Sequence, residues 1–161
     1  MSHTLTSAIE VIKTAIQADT VISAYCTSTF GRPLHIQVGW DDARPPAASK
    51  CPLVLINPGA RARSYEQHYR RHKVDIGVMA IKASSVNPES DIVETGNTVE
   101  YQGIAAVDGL ADLIEQRVTK ALIVNGIPQE QEFGADDEIY HPFYLVQWAY
   151  VIRCDSRLPA A

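Results

Sequence analysis

The sequence predicts an α+β domain: a mostly antiparallel sheet with helices packed on one face and an extended charged hairpin. Three observations lead there. Leu5–Ala18 and Ile104–Ile123 repeat apolar residues at three- and four-residue spacing, the period of an amphipathic helix. Leu34–Trp40, Val74–Ala80 and Tyr144–Ile152 place apolar residues at every second position, the period of a strand with one buried face. Strands then outnumber the helices available for crossovers, which favours antiparallel pairing.

In chain order, Leu5, Ile9, Ile12 and Ile16 form the first helical stripe, with Thr6 or Ser7 as the candidate cap. Asp19-Thr20 caps a second short helix through Val21, Ile22, Tyr25 and Cys26, and Phe30-Gly31-Arg32-Pro33 ends it. After the Leu34–Trp40 strand, Asp41–Lys50 reads as a loop because of Pro45-Pro46 and its small residues. Leu53–Ile56 is a short apolar strand, and Asn57-Pro58-Gly59 reads as the turn that closes it. Residues Ala83–Tyr101 are polar, contain Pro88 and Gly96, and show no period, so they read as one long loop. The helix Ile104–Ile123 follows, with Val107, Leu110, Ala111, Ile114, Val118, Ala121 and Leu122 on one face, and Asn125-Gly126-Ile127-Pro128 stops it. A second acidic loop, Gln129–Glu138, leads through a possible short strand near Ile139–His141 to the last strand. There Tyr144, Val146, Trp148, Tyr150 and Ile152 form an apolar face.

The 161 residues fit one domain, residues 1–161, with no internal repeat or linker. Apolar residues make up 46% and charged residues 20%, which excludes disordered and collagen-like classes. The net charge of −5 argues against a dedicated nucleic-acid binder. No apolar run approaches the roughly 20 residues of a membrane span, and the first residues lack the pattern of a secretory signal. Cys26, Cys51 and Cys154 are far apart and odd in number, as expected of free thiols that pack as small hydrophobes. Together these features predict a soluble domain of a reducing compartment.

Charge is divided along the chain. Residues 1–83 hold ten Lys/Arg against six Asp/Glu, and residues 84–161 hold four against thirteen. The basic density peaks in Arg61–Lys73, where Arg61, Arg63, Arg70, Arg71 and Lys73 surround the single acid Glu66. The acidic density peaks in Glu89–Glu100, with Asp91 and Glu94, and in Glu130–Glu138, with Glu132, Asp136 and Asp137. A head-to-tail assembly needs two unlike patches on one chain, and these segments are the candidates. Arg70 and Arg71, adjacent in an extended segment, point to opposite faces, and their expected carboxylate partners are Glu89, Asp91 and Glu94 or Glu130 to Glu138.

Motifs of catalysis are missing: there is no G-x-S-x-G, Walker A, dinucleotide fingerprint or H-E-x-x-H. His68 and His72 in an extended segment would stand roughly 13 Å apart, too far to share a metal. Asp136-Asp137-Glu138 with His141 could attract a cation but lacks the glycine of a calcium loop. Glu94 or Asp91 could serve as a general base only with a partner. Tyr65 and Tyr69 among the arginines would suit phosphate contact with base stacking. The expectation is a non-enzyme without metal or cofactor.

The arrangement of the N-terminal helix Leu5–Ala18, the strand Pro52–Ile56, the charged hairpin Arg61–Lys73, the strand Val74–Ile81, the late helix Ile104–Ile123 and the closing strand Phe143–Arg153 resembles the tail terminator (tail completion) proteins of tailed bacteriophages. It is a likeness of sizes and order over about residues 5 to 153, without an invariant motif. The resemblance implies a homohexameric ring that caps the tail tube, meeting the tail tube protein on one side and a head-side connector or head-closure protein on the other. A sheath protein joins the partners if the tail is contractile. The expected location is the virion tail or neck, after assembly in the host cytoplasm, and the family brings no catalytic residue. The alternatives are another neck protein, such as a head-closure subunit, or a small nucleic-acid-associated or metal-dependent enzyme.

Overall fold

A computed structural model describes residues 3–41, 43–63, 69–83, 87, 89–132 and 138–155. Its architecture is α+β, with three helices on one side of a mostly antiparallel sheet. Helix α1 (Leu5–Gln17) starts at Leu5 as expected, but its cap lies two or three residues before Thr6 or Ser7. Thr4 is the cap: its Oγ1 accepts from the Ser7 amide at 3.1 Å, and Ser7 Oγ accepts from the Thr4 amide at 3.0 Å. This reciprocal pair satisfies two amides that a helix start otherwise leaves open. Helix α2 (Thr20–Phe30) is capped as expected. Asp19 accepts from the Val21 and Ile22 amides, and Gly31 closes the far end at φ 67°.

The strands are β1 (His35–Val38), β2 (Leu53–Arg63), β3 (Tyr69–Ala80), β4 (Ile92–Thr95), β5 (Thr98–Tyr101), β6 (Gln129–Glu132), β7 (Glu138–Tyr140) and β8 (Phe143–Asp155). The main sheet runs β1-β2-β3-β8-β6, with β7 also on β8, and only β1–β2 is parallel. The register of β3 on β8 is unbroken from Tyr69 opposite Asp155 to Ala80 opposite Tyr144. Helix α3 (Gln102–Val124) lies across β3 and β8, with α1 and α2 packed against it.

Three expectations need correction. Asn57-Pro58-Gly59 is no turn: β2 continues to Arg63, with an irregular register between Pro58 and Arg61. The reason is the length of β1, whose pairing stops at Val38 opposite Ile56. Beyond Ile56 the β1 side of β2 is an open edge, where proline's missing amide removes no ladder bond. Residues 83–101 are not one structureless loop, because β4 and β5 pair as a hairpin around Gly96-Asn97, with Gly96 at φ 61°. The second acidic segment is likewise not all loop. Gln129–Glu132 pairs with Ala149–Ile152, and Glu138–Tyr140 pairs with Phe143–Leu145, the short strand anticipated near residue 139.

The core lies between the sheet and α1–α3. Alternate residues of β3 (Val74, Ile76, Val78, Ala80) and of β8 (Tyr144, Trp148, Tyr150, Ile152) point into it. Helix α3 answers with Val107, Leu110, Ala111, Ile114, Val118 and Leu122, at the spacing that puts them on one stripe. Its end is locked as a Schellman motif: the Ile127 amide donates to Leu122 O and the Gly126 amide to Ile123 O, both at 2.9 Å, while Ile127 is buried. Glycine at 109 admits Tyr25, whose hydroxyl donates to Ala106 O at 3.0 Å. Arg117 Nε meets Asp19 Oδ2 at 2.8 Å, so the carboxylate that caps α2 also ties it to α3. All three cysteines are buried and form no disulfide, and burial pushes the Cys26 and Cys51 thiols up to about 11, with Arg32 opposing the rise at Cys51. Among the described residues no helix is long and apolar enough to cross a membrane.

Trp148 is 6% exposed and belongs to the core cluster shared with Val107, Leu110 and Ile114. Trp148→Ala is expected to cost about 3–5 kcal/mol, read as a lowered urea midpoint at unchanged slope. Leu145→Ala, on the opposite face of β8, is expected to cost clearly less.

Candidate assembly surface

The basic segment forms the far end of the sheet. Register places Arg63 opposite Arg70 and Arg61 opposite His72 between β2 and β3, and Arg71 opposite Arg153 between β3 and β8. Glu130 on β6, opposite Val151 of β8, reaches both of the last two. It accepts from Arg71 Nη2 at 2.8 Å and also receives Arg153 Nη2. One carboxylate thus serves two guanidiniums, and the trio keeps a net positive charge. All three side chains are partly exposed, where such pairs contribute about 0–1 kcal/mol each, so the trio orients charge more than it stabilises the fold. Lys73 lies 3.7 Å from Asp75 along the same strand.

The acidic residues separate into different roles. Glu89, Glu94 and Glu100 are exposed around β4 and β5. Asp91 is not: it is 1% exposed, which removes it from the interface set in which the sequence placed it. Its carboxylate accepts from Tyr144 Oη at 2.6 Å and, through Oδ1, from His141 Nε2 at 3.0 Å. Its carbonyl accepts from the Gln102 amide at 2.9 Å, where α3 begins. Burial alone would raise the Asp91 carboxyl, but the hydrogen bonds from Tyr144 and His141 and the His141 charge outweigh it, and the net direction is down. Tyr144 is pushed up, first by burial and then by the neighbouring carboxylate. The Tyr101 ring packs on His141 with centroids 5.6 Å apart. The partner that a sequence reading of Asp91 lacked is therefore a Tyr–His pair from the β7–β8 corner, and the assembly is a clamp on the base of the β4–β5 hairpin.

Glu130 faces its own chain's arginines, so the pairing expected for Arg71 is met at least partly within one subunit. Glu132 ends β6, and Arg61, Arg63 and Arg70 are placed by backbone register alone. Asp136, Asp137, His68, Tyr65 and Glu66 lie outside the described residues. Among the described residues no group of three or more His, Cys, Asp or Glu side chains could hold a metal ion. A shallow depression of about 270 Å³ lies on the helix-free face of the sheet beside Trp40, Leu55, Gly77, Met79 and Leu145.

The two charged elements sit at opposite ends of β8. The clamp fixes the acidic hairpin at Tyr144, and the arginines gather around Arg153 and Cys154. Ten residues of strand separate these points, about 33 Å at strand rise, whereas a four-residue hairpin arm spans about 13 Å. A single subunit cannot bring the two together. No protein-family model matches the chain, and no curated protein sequence shows significant similarity to it.

Two outcomes follow from the clamp. A carboxyl depressed in the folded state stabilises it fully above the unfolded carboxylate pKa, and that contribution is lost as the pH falls through the folded value. Asp91→Asn is therefore expected to lower stability by about 1–3 kcal/mol at neutral pH. It should also flatten the fall in melting temperature between neutral pH and the acid carboxylate range. Gly103, at the start of α3, has the Tyr144 ring where a Cβ would stand. Gly103→Ala is expected to cost about 1–3 kcal/mol and to displace Tyr144, seen as a changed near-ultraviolet tyrosine signal.

Proposed function

We propose that this chain is a structural subunit of the tail terminator type, which assembles head to tail into a ring, closes a phage tail tube and presents a surface to the head-side connector. The observation that carries this reading is the placement of unlike charged elements at the two ends of one long strand, an arginine-bearing ribbon at one end and a glutamate-bearing hairpin at the other. A heterologous contact between such ends repeats from subunit to subunit and closes when the rotation between neighbours permits. The α+β fold with helices on one sheet face agrees with the subunit that the resemblance implies. In this reading the chain acts without catalytic residues, its partners are further copies of itself, the tail tube protein and a head-closure protein, with a sheath protein in a contractile tail, and its place is the virion neck.

The test is negative-stain microscopy of the purified protein, alone and mixed with tail tubes. The expected result is closed rings, free or as caps that stop tube growth. A protein that stays at 17.7 kDa in both settings by light scattering, and binds DNA as that monomer, would overturn the reading.

A further inference from the structure

The β4–β5 hairpin is an unusual element for a subunit with so well filled a core. It forms its own two-stranded sheet, apart from the main one. All four residues of β5 are exposed, including Val99 at 53% and Tyr101 at 39%, and Ile104 beside it is 36% exposed. Register puts Ile92, Glu94, Val99 and Tyr101 on one face of the hairpin and Val93, Thr95, Thr98 and Glu100 on the other. An isolated two-stranded hairpin is marginal in water, and this one is fastened at its base by Asp91 while most of its length projects without a covering layer. From Ala83 to Gln116 the sequence has no Lys or Arg, so the charge of this region has one sign.

We infer that the hairpin is the docking arm of the subunit and that its occupant is the basic β2–β3 ribbon of a second copy. Three features of the molecule choose this occupant. The ribbon is the chain's peak of positive charge, with five Lys/Arg and one Glu in residues 61–73, which complements Glu94 and Glu100. The ribbon and hairpin of one chain are held about 33 Å apart along β8, so the complement must come from a neighbour. The arm also offers Val99 as an exposed apolar contact beside Glu94, the pairing of apolar and acidic groups that an arginine satisfies with its alkyl stem and its planar fork. The inference rests on the head-to-tail reading above and names its contact.

The experiment uses two full-length double variants. Glu94→Arg with Glu100→Arg reverses the arm, and Arg63→Glu with Arg70→Glu reverses the ribbon while leaving the Arg71–Glu130–Arg153 trio intact. Each variant alone is expected to raise the protein concentration needed for assembly at least tenfold, and added salt should raise it for the wild type. The two variants mixed give the sharper readout. In a head-to-tail contact, the unaltered ribbon of one meets the unaltered arm of the other, and the reversed arm and ribbon also complement each other. The mixture should therefore regain assembly that neither shows alone, and this recovery also shows that both variants are folded. Val99→Asp, at an exposed position, is expected to weaken assembly without lowering the melting temperature. If the wild type forms rings and both double variants form them equally well, the contact is elsewhere and the ring reading survives. If the variants fail singly and the mixture also fails, the arm and ribbon are not partners. If the wild type never associates, alone or on tubes, the contact and the ring reading fall together.

Discussion

The β3–β8 pair is the constraint on which the rest of the molecule depends. Its twelve register pairs run without a bulge, so every even-numbered residue from Val74 to Ala80 and from Tyr144 to Ile152 is committed to the helix face. A slip of one residue would turn Trp148, Tyr150 and Ile76 outward and bring Lys73, Asp75 and Gln147 into the core. The helices are placed by this pair, because α3 lies across both strands and α1 and α2 lie against α3. Tyr150 is held to α3 by more than packing, its hydroxyl lying 2.9 Å from Thr119 Oγ1.

The same pair distributes charge. β8 is the longest of the described strands, and both of its ends carry elements other than core. At one end the β7–β8 corner supplies His141 and Tyr144 to Asp91, and at the other Arg153 joins Arg71 around Glu130. The two carboxylates illustrate how burial separates roles that sequence leaves equivalent. Asp91 is enclosed, receives two strong donors and fixes backbone. Glu130 is half exposed and shared, so it can exchange its partners at little cost.

Much of this was legible in the residues, and the misses have physical causes. The α1 and α3 stripes and the alternation of β3 and β8 are patterns of one-sided burial, which sequence records directly. The Trp148 face followed from the same alternation. Asn57-Pro58-Gly59 misled because turn chemistry and an open strand edge tolerate the same residues, and only the short partner β1 distinguishes them. The β4–β5 hairpin was hidden because neither of its faces is buried enough to impose a period, although Gly96-Asn97 between two threonines carried a hairpin signal. The role of Asp91 was out of reach: its partners lie 50 and 53 positions away and meet it only through the tertiary fold.

The buried thiols have a practical consequence for studying the molecule. Thiolate is the species that reacts with alkylating probes; enclosure withholds the probe from Cys26, Cys51 and Cys154, and at Cys26 and Cys51 it withholds the ionised form as well. The native chain thus offers little background to a maleimide under folding conditions. A cysteine placed at an exposed site such as Thr98 would carry a fluorophore or spin label almost alone, without first stripping the protein of its own sulfur.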